Sequence, residues 1–182
     1  VVQPGEQVAI FNDALGHMSD KLTHLYAAPP RYWYDLPPNL RRTVEDRAKQ
    51  MRRDDVLIEL ERRLKAVRER GDFSSVHSCP ASSLDVPDEQ AVRLVVLGPD
   101  YGHKQGMANS AALTQAQEIL NNRGASPRLY RNMLVFVAPD RDLMAALELE
   151  TRRYLAWKSV VEDVEVLNLD AHQTREAKNG VE

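Results

Sequence analysis

The chain has 182 residues, of which 43% are hydrophobic and 28% are charged, and its formal net charge is −3. This length suits one domain of ordinary size, and the composition is typical of a folded protein rather than of a disordered one. The single cysteine excludes an internal disulfide and a cysteine-built zinc site. The sequence contains no run of eighteen apolar residues, so it predicts no membrane-spanning helix.

The first predicted element is an amphipathic helix of about five turns. Apolar residues recur every three or four positions from Val8 to Leu25, which is helical periodicity. His17 and His24 would share one face of this helix. Two imidazoles without a third ligand do not make a zinc site, so we predict no metal here.

An aromatic strand follows at residues 31–36. Three consecutive aromatic residues at 32–34 have high β-propensity, and the two prolines at 37–38 end the strand because they cannot donate to a sheet. Asn39 is the predicted N-cap of the next helix.

The helix that starts at Asn39 is predicted to break at 53–55. Either aspartate there could cap a second helix, which Gly71 would end in the left-handed conformation. One bent helix is the alternative. Residues 41–70 carry eleven Lys or Arg against seven Asp or Glu, a local charge of +4. Such a region can attract a polyanion, or it can be a solvated helix face held by pairs such as Glu61 with Lys65.

Three arginines near the start of that helix are candidate contacts for a phosphate or a nucleic acid: Arg41, Arg42 and Arg47. Free N–H groups and the dipole at a helix start favour anions, and these arginines would add to that field. If the arginines are structural, they should be locked to carboxylates such as Asp35 or Glu45. We expect the structural role for Arg47 and the functional role for Arg41 and Arg42.

The second half of the chain predicts a βαβ unit. A short strand at 74–79 precedes an apolar strand at 91–98, a helix at 110–124, a second apolar strand at 132–138 and a long helix at 143–161. Strand, helix and strand joined in this way form parallel neighbours. The predicted fold class is α/β, with a small mixed or mostly parallel sheet, a C-terminal βαβ unit and long flanking helices.

Continuous apolar runs on both strands predict burial on both faces of the sheet. We therefore expect Val95, Leu97, Val135 and Val137 to be almost fully buried on adjacent parallel strands. The pattern weakens beyond Val164, which predicts a short helix that frays.

The sequence predicts three regions within one compact domain. These are a helical region with one aromatic strand at 1–72, an α/β sheet region at 73–163 and a polar tail at 164–182. The chain starts without methionine and stops in a polar segment, so we expect a piece of a longer protein.

Residues at the carboxyl ends of the two apolar strands form the candidate crevice. Neither a Walker loop nor a G-x-G-x-x-G motif occurs, but Asp100, His103 and Asp140 follow strands at the edge where open sheets bind ligands. Each aspartate is equally a natural turn or N-cap residue. His77 and Cys79 lie on one face of a strand, yet without an orienting third group a buried, unreactive thiol is the favoured interpretation.

Nine ordered segments carry a family resemblance, including RYWYD at 31–35, RLVVLGP at 93–99 and YLAWKS at 154–159. They are similar to the region downstream of the ATPase core in a family of large prokaryotic AAA+-like ATPases that bears a domain-of-unknown-function label. The remaining segments are 2–6, 13–15, 22–26, 45–48, 128–136 and 167–171.

The resemblance implies a role in an ATP-driven machine. The family's nucleotide-binding motifs lie upstream, so ATP and Mg are expected for the full-length parent and no cofactor for this part. Family members are encoded beside DNA methyltransferases and helicases in phage-defence-like gene clusters, which implies a DNA-directed complex. The family assigns no catalytic residue to this region.

We therefore predict a non-catalytic lid, assembly or partner-docking domain of a cytoplasmic ATPase. Its expected partners are the rest of its own chain, further copies of itself and DNA in the assembled complex, but no membrane. One alternative is a nucleic-acid-binding module that uses 41–70. Another is a small enzyme with its crevice at Asp100, His103 and Asp140.

Overall fold

The computed structural model describes residues 7–22, 24–28, 31–34 and 40–181. The chain divides into two compact units. Unit 1 combines Val1–Met51 with Arg152–Glu182, and unit 2 is Arg52–Thr151. The sequence instead predicted one compact domain with internal boundaries near 72 and 163. The difference arises because the two ends of the chain contribute to one core.

Unit 1 begins with helix α1, Val8–Lys21, followed by an antiparallel pair of strands, β1 (Leu25–Ala28) and β2 (Arg31–Tyr34). The helix was predicted to continue through Leu25, and this was wrong. Leu25 is buried and lies opposite Tyr34 in the sheet. Residues 35–39, with the prolines and the predicted N-cap Asn39, lie outside the described residues.

The core of unit 1 is formed by helix α2 (Leu40–Gln50), the second half of the long helix α5 (Arg141–Glu162) and helix α6 (Ala171–Asn179). On α2 and α5, apolar residues one helical turn apart lie on the same face of the helix, and that face contributes to this core. Its buried members are Leu40, Val44, Ala48, Ala156, Val160 and Ala177.

The short helix that was predicted beyond Val164 is present as α6, and its Ala177 contributes to this core. The carboxylate of Asp170 accepts a hydrogen bond from the backbone N–H of Gln173 at 2.7 Å, and the Gln173 side chain accepts one from the Asp170 N–H at 3.1 Å. This reciprocal capping box starts α6 firmly. At the other end of α6, Gly180 lies against Trp157, where a Cβ atom would come within 2.4 Å of the indole ring.

Unit 2 starts with helix α3, Arg53–Ala66. The break was predicted at this place, but Arg52 occupies the N-cap position and Asp54 and Asp55 lie in the first turn. Carboxylates in a first turn still stabilise the helix through its dipole. The helix ends at Ala66, before Gly71, whose φ of +53° belongs to a later turn.

Three parallel strands make the sheet of unit 2: β3 (Ser75–Ser78), β4 (Arg93–Val96) and, last in sequence, β7 (Leu134–Val137). Between β4 and β7 the chain forms helix α4 (Ala111–Asn121) and a small antiparallel pair, β5 (Asn122–Arg123) and β6 (Ser126–Pro127). The strand order is β3-β4-β7, with Arg93 opposite Leu134. This confirms the α/β class and the parallel βαβ unit.

The burial of β4 agrees with the prediction and that of β7 differs from it. Val95 and Leu97 of the middle strand are 0% and 2% exposed, as expected, but Val135 and Val137 are 44% and 47% exposed. The prediction for the latter two was wrong because β7 is an edge strand with one covered face. Its alternate residues, Leu134 and Phe136, pack against the core that α4 covers.

A fully buried arginine ties the loops of unit 2 together. The Arg128 guanidinium donates hydrogen bonds to the carbonyl oxygens of Ile119 (2.8 Å), Pro87 (2.9 Å), Val86 (2.9 Å) and Ser83 (3.4 Å). Burial lowers the pKa of Arg128 from its ordinary value. The cation therefore replaces its lost hydration with backbone acceptors.

Across the described ranges, no helix combines the length and the apolar character needed to cross a bilayer.

Candidate functional site

The candidate site is built by the loop between β4 and α4, at the carboxyl edge of the parallel sheet. The loop turns directly after β4, where the Tyr101 N–H donates to the Gly98 carbonyl at 3.0 Å. It then returns alongside the end of β7: the His103 N–H donates to the Pro139 carbonyl, and the Arg141 N–H donates to the His103 carbonyl, both at 2.9 Å. His103 and Asp140 are thereby held as neighbours.

Asp100 is engaged in an ion-pair cluster. Arg53, the first residue of α3, donates to the Asp100 carboxylate at 3.2 Å and to the Glu148 carboxylate at 3.0 Å. The hydrogen bond to Glu148, followed by its charge, raises the pKa of Arg53 above its ordinary value. Asp100 is thus one of two acceptors that hold a single cation.

His103 is oriented by the helix cap next to it. Its Nδ1 atom lies 3.0 Å from the Oγ atom of Ser110, and that Oγ also accepts the N–H of Leu113 at 3.2 Å. A hydroxyl beside an imidazole is the smallest unit of nucleophilic catalysis. Within the described part of the chain, no carboxylate bonds to the His103 ring, so the pair has no orienting third group.

Asp140 is the N-cap of α5. One carboxylate oxygen accepts the N–H groups of Asp142 at 2.8 Å and Leu143 at 3.2 Å. This is the turn-and-cap role that was the alternative interpretation of the aspartate.

The three predicted residues line two neighbouring cavities. Asp100 lines a cavity of about 510 Å³ together with Arg53, Ser110, Arg141 and Glu148. His103 and Asp140 line a second cavity of about 410 Å³, bounded by Phe136 of β7 and Ala112 of α4. The structure therefore brings His103 and Asp140 together and places Asp100 apart from them.

Arg141 is the residue of this edge whose role the sequence did not predict. Its guanidinium reaches the sulfur of Met107 at 3.6 Å, and among the described residues no carboxylate lies within ion-pair distance of it. Arg53 and Glu148 were also missed, because they meet across 95 positions of sequence. The signal for Arg141 was its place directly after a strand-ending Pro-Asp pair.

The predicted phosphate contacts of unit 1 are paired with carboxylates to different degrees. Arg47 donates to Asp163 at 2.7 Å and to Ser159 at 2.9 Å, which is the structural arrangement expected for it. Arg42 pairs with Asp46 at 3.0 Å on its own helix. Arg41 pairs with Glu176 at 3.5 Å and keeps 75% of its side chain exposed.

The part of the basic region 41–70 that belongs to unit 2 also has positive charges that are paired with nearby carboxylates. Glu59 accepts from Arg62 at 2.6 and 2.7 Å and from Arg63 at 2.9 Å. These hydrogen bonds lower the pKa of Glu59 to about 2, and the bond from Arg62 has the largest effect. Lys65 pairs with Glu61 at 3.0 Å, the i,i+4 pair that the sequence indicated.

Cys79 and His77 have the properties of packed structural residues. Burial raises the pKa of the Cys79 thiol, and burial followed by the charge of Arg93 lowers the pKa of His77. Both shifts oppose formation of a thiolate–imidazolium pair. The His77 Nε2 atom lies 3.0 Å from the Ser75 hydroxyl.

Within the described ranges, no three His, Cys, Asp or Glu side chains are grouped so that they could hold a metal ion. Comparison of the chain with protein-family models, with curated proteins and with solved structures finds no match in any of the three.

Proposed function

We propose that this chain is a non-catalytic assembly domain of an AAA+-like ATPase, and that it docks other parts of that machine through the uncovered edge of β7. The observation that carries the proposal is the half-exposed pair Val135 and Val137 on an edge strand. An apolar strand edge exposes both side chains and backbone groups that favour a partner.

The two edges of the sheet differ in a way that supports this assignment. The β3 edge carries two serines and a histidine among its four residues. By contrast, residues 133–138 around β7 contain neither a charge nor a proline. Proteins protect edges against unwanted pairing with charges, prolines or polar residues, and β7 has none of these. An edge without such protection is expected to be covered in the working assembly.

The carboxyl-edge residues support the non-catalytic part of the proposal. Asp100, His103 and Asp140 each have a structural partner, namely a cation, a helix-cap hydroxyl and the N–H groups of a helix start. The family resemblance implies that ATP, Mg and the DNA-directed setting belong to the full-length parent. Under this proposal the chain contributes binding surface rather than chemistry.

Amide hydrogen exchange tests the proposal directly. The isolated chain and the full-length parent are compared, and the amides of Leu134 and Phe136 should exchange at least tenfold more slowly in the parent. The β3 amides serve as the internal control, because the proposal leaves that edge uncovered. Equal exchange of β7 in both proteins would refute the proposed docking edge.

A matched pair of variants adds a functional measurement. Val137→Lys places a charge on the docking edge and should lower the parent's ATPase rate several-fold at an unchanged melting temperature. Val166→Lys makes the same substitution at a site that is 84% exposed and should leave the rate unchanged. A Val137→Lys parent with full activity would contradict the proposal.

The chain alone should neither bind nor hydrolyse ATP. It lacks the G-x-x-x-x-G-K loop whose backbone and lysine hold phosphates. Calorimetric titration with MgATP should give no heat of binding. A micromolar dissociation constant would show that this part of the machine has a nucleotide site of its own.

A further inference from the structure

We propose that His77 is a pH sensor of unit 2: the unit keeps its full stability only while this imidazole is neutral, because a proton on it adds a positive charge beside two buried cations. The cations are Arg93, at the start of β4, and Arg128, directly after β6. None of the three residues belongs to the proposed docking edge, so this inference is independent of the proposed function.

The register of the sheet places His77 close to Arg93. His77 lies opposite Val95 on the parallel neighbours β3 and β4, and Ser75 lies opposite Arg93. Paired residues of neighbouring strands, and residues two apart on one strand, point to the same face of a sheet. His77 and Arg93 therefore share the face on which Val95 packs into the core with α4. A rise of about 3.3 Å per residue and a strand spacing of about 4.8 Å set their Cα atoms about 8 Å apart.

The connection between β3 and β4 supplies the acceptors of both arginines. The Arg93 guanidinium donates to the carbonyl oxygens of Ala91 at 2.9 Å and Glu89 at 3.3 Å, and also to the Glu89 carboxylate. Its Nε atom is buried and, within the described part of the chain, donates to no acceptor. Three of the four carbonyls around Arg128 come from residues 83–87 of the same connection. The backbone acceptors of this region thus already serve two cations.

The surroundings of the His77 ring favour its neutral form. Its Nε2 atom lies 3.0 Å from the hydroxyl of Ser75, an uncharged partner. Burial has the largest effect on the pKa of His77, followed by the charge of Arg93, and both lower it. The charge of Arg128 lowers the pKa of His77 as well. A buried imidazole between like charges resists protonation.

Asp85 is the acidic group that acts on the ring in the opposite direction. A hydrogen bond with its backbone and the charge of its carboxylate both favour the protonated form of His77. That carboxylate, however, accepts the N–H groups of Ala81 at 2.8 Å and Ser82 at 2.9 Å. It is committed to the turn that it caps, so it compensates only part of the effect of burial and of the two arginines.

The sign of the pH effect follows from the lowered pKa. Above the ordinary histidine pKa of about 6.5, His77 is neutral in both the folded and the unfolded chain, and the stability of unit 2 is complete. As the pH falls below 6.5, the unfolded chain takes up the proton first, so stability is lost until the pH reaches the folded pKa. Aspartate and glutamate ordinarily titrate at about pH 4, so the interval from about pH 6.5 to 5 reports mainly on histidine.

Two measurements on the whole chain test the inference. NMR titration of the His77 ring, whose signal is identified by its loss in His77→Gln, should give a pKa below the ordinary value of about 6.5. Urea denaturation followed by circular dichroism should show a midpoint that falls, from about pH 7 to about pH 5, at least about twice as far in wild type as in His77→Gln. A ring that titrates at its ordinary pKa or above, or equal declines in the two proteins, would overturn the inference.

A third measurement tests the contribution of Arg93. Arg93→Met removes the charge with the larger effect on the ring and should move the His77 titration to higher pH. Arg68→Met makes the same substitution at an exposed position of unit 2 and should leave the titration unchanged. Equal titration in wild type and Arg93→Met would overturn the role given to the buried cations. If Arg93→Met does not fold, the wild-type titration and the His77→Gln comparison still decide the inference.

Discussion

Replacing Arg128 by methionine should strongly destabilise unit 2. The side chain of Arg128 is fully buried, and methionine keeps most of its apolar stem. The substitution removes the donors that Arg128 supplies to four backbone carbonyls.

The magnitude follows from the bonds that are lost. Three of the four are 2.8–2.9 Å long. Hydrogen bonds from a charged group contribute about 1.5–3 kcal/mol each, so the gross loss is at least about 4.5 kcal/mol. Relief of the desolvation of a buried cation offsets part of this loss. We therefore expect the free energy of unfolding to fall by about 3–5 kcal/mol, a large share of the 5–15 kcal/mol typical of a domain.

Urea denaturation followed by far-UV circular dichroism measures this loss. Tryptophan fluorescence is unsuitable, because Trp33 and Trp157 both belong to unit 1. Arg123→Met is the matched control: it removes an exposed arginine from the same loop region and should cost less than about 0.5 kcal/mol. If the two variants unfold at the same urea concentration, the carbonyl cage around Arg128 does not stabilise the fold as argued.

Three further outcomes are expected. Gly180→Ala should lower the melting temperature of unit 1 by several degrees, because the added Cβ would overlap the ring of Trp157, and thermal denaturation followed by tryptophan fluorescence measures it. Glu59 has a lowered pKa, so its contribution to stability is complete above about pH 4.5 and is lost as the pH falls towards about 2. In urea titrations across that pH window, the free energy of unfolding of Glu59→Gln should decline less steeply than that of wild type. Val135→Lys should change the free energy of unfolding by no more than about 0.5 kcal/mol, whereas Val95→Lys should prevent folding. Yield and circular dichroism measure the two effects. Equal damage by both substitutions would mean that β7 is covered on both faces.

The existence and direction of the parallel strands could be predicted from apolar runs between turn signals. Whether one or both faces of β7 are buried could not be predicted in this way. A run such as the one at 133–138 has the same appearance in a central strand and in an edge strand. Which strand lies at the edge depends on strand order, and strand order is set by long-range contacts. The same limit applies to Leu25, whose spacing suits both the end of a helix and a strand opposite Tyr34.

The location of the candidate site could be predicted from the sequence, but the ion-pair partners of its residues could not. The turn after each strand marks the carboxyl edge, where His103 and Asp140 do lie together. The partners that decide the chemistry come from afar: Glu148 reaches Arg53 across the whole of unit 2. Electrostatic pairing at such a distance has no signature in local composition, which is why Asp100 could not be separated from the other two residues.

The division of unit 1 between the two ends of the chain has a consequence for synthesis. Leu40 and Val44 leave the ribosome before unit 2 does, and their partner Ala177 emerges only after the hundred residues from 52 to 151 and part of the C-terminal segment. At 5–20 residues per second, the nascent helix waits for at least roughly 5–20 s with its apolar side uncovered. Unit 2, which is continuous, can complete its own core during that interval. Newly made chains are thus expected to need a chaperone at the N-terminal segment, and a slow stretch of codons after residue 151 would prolong that need.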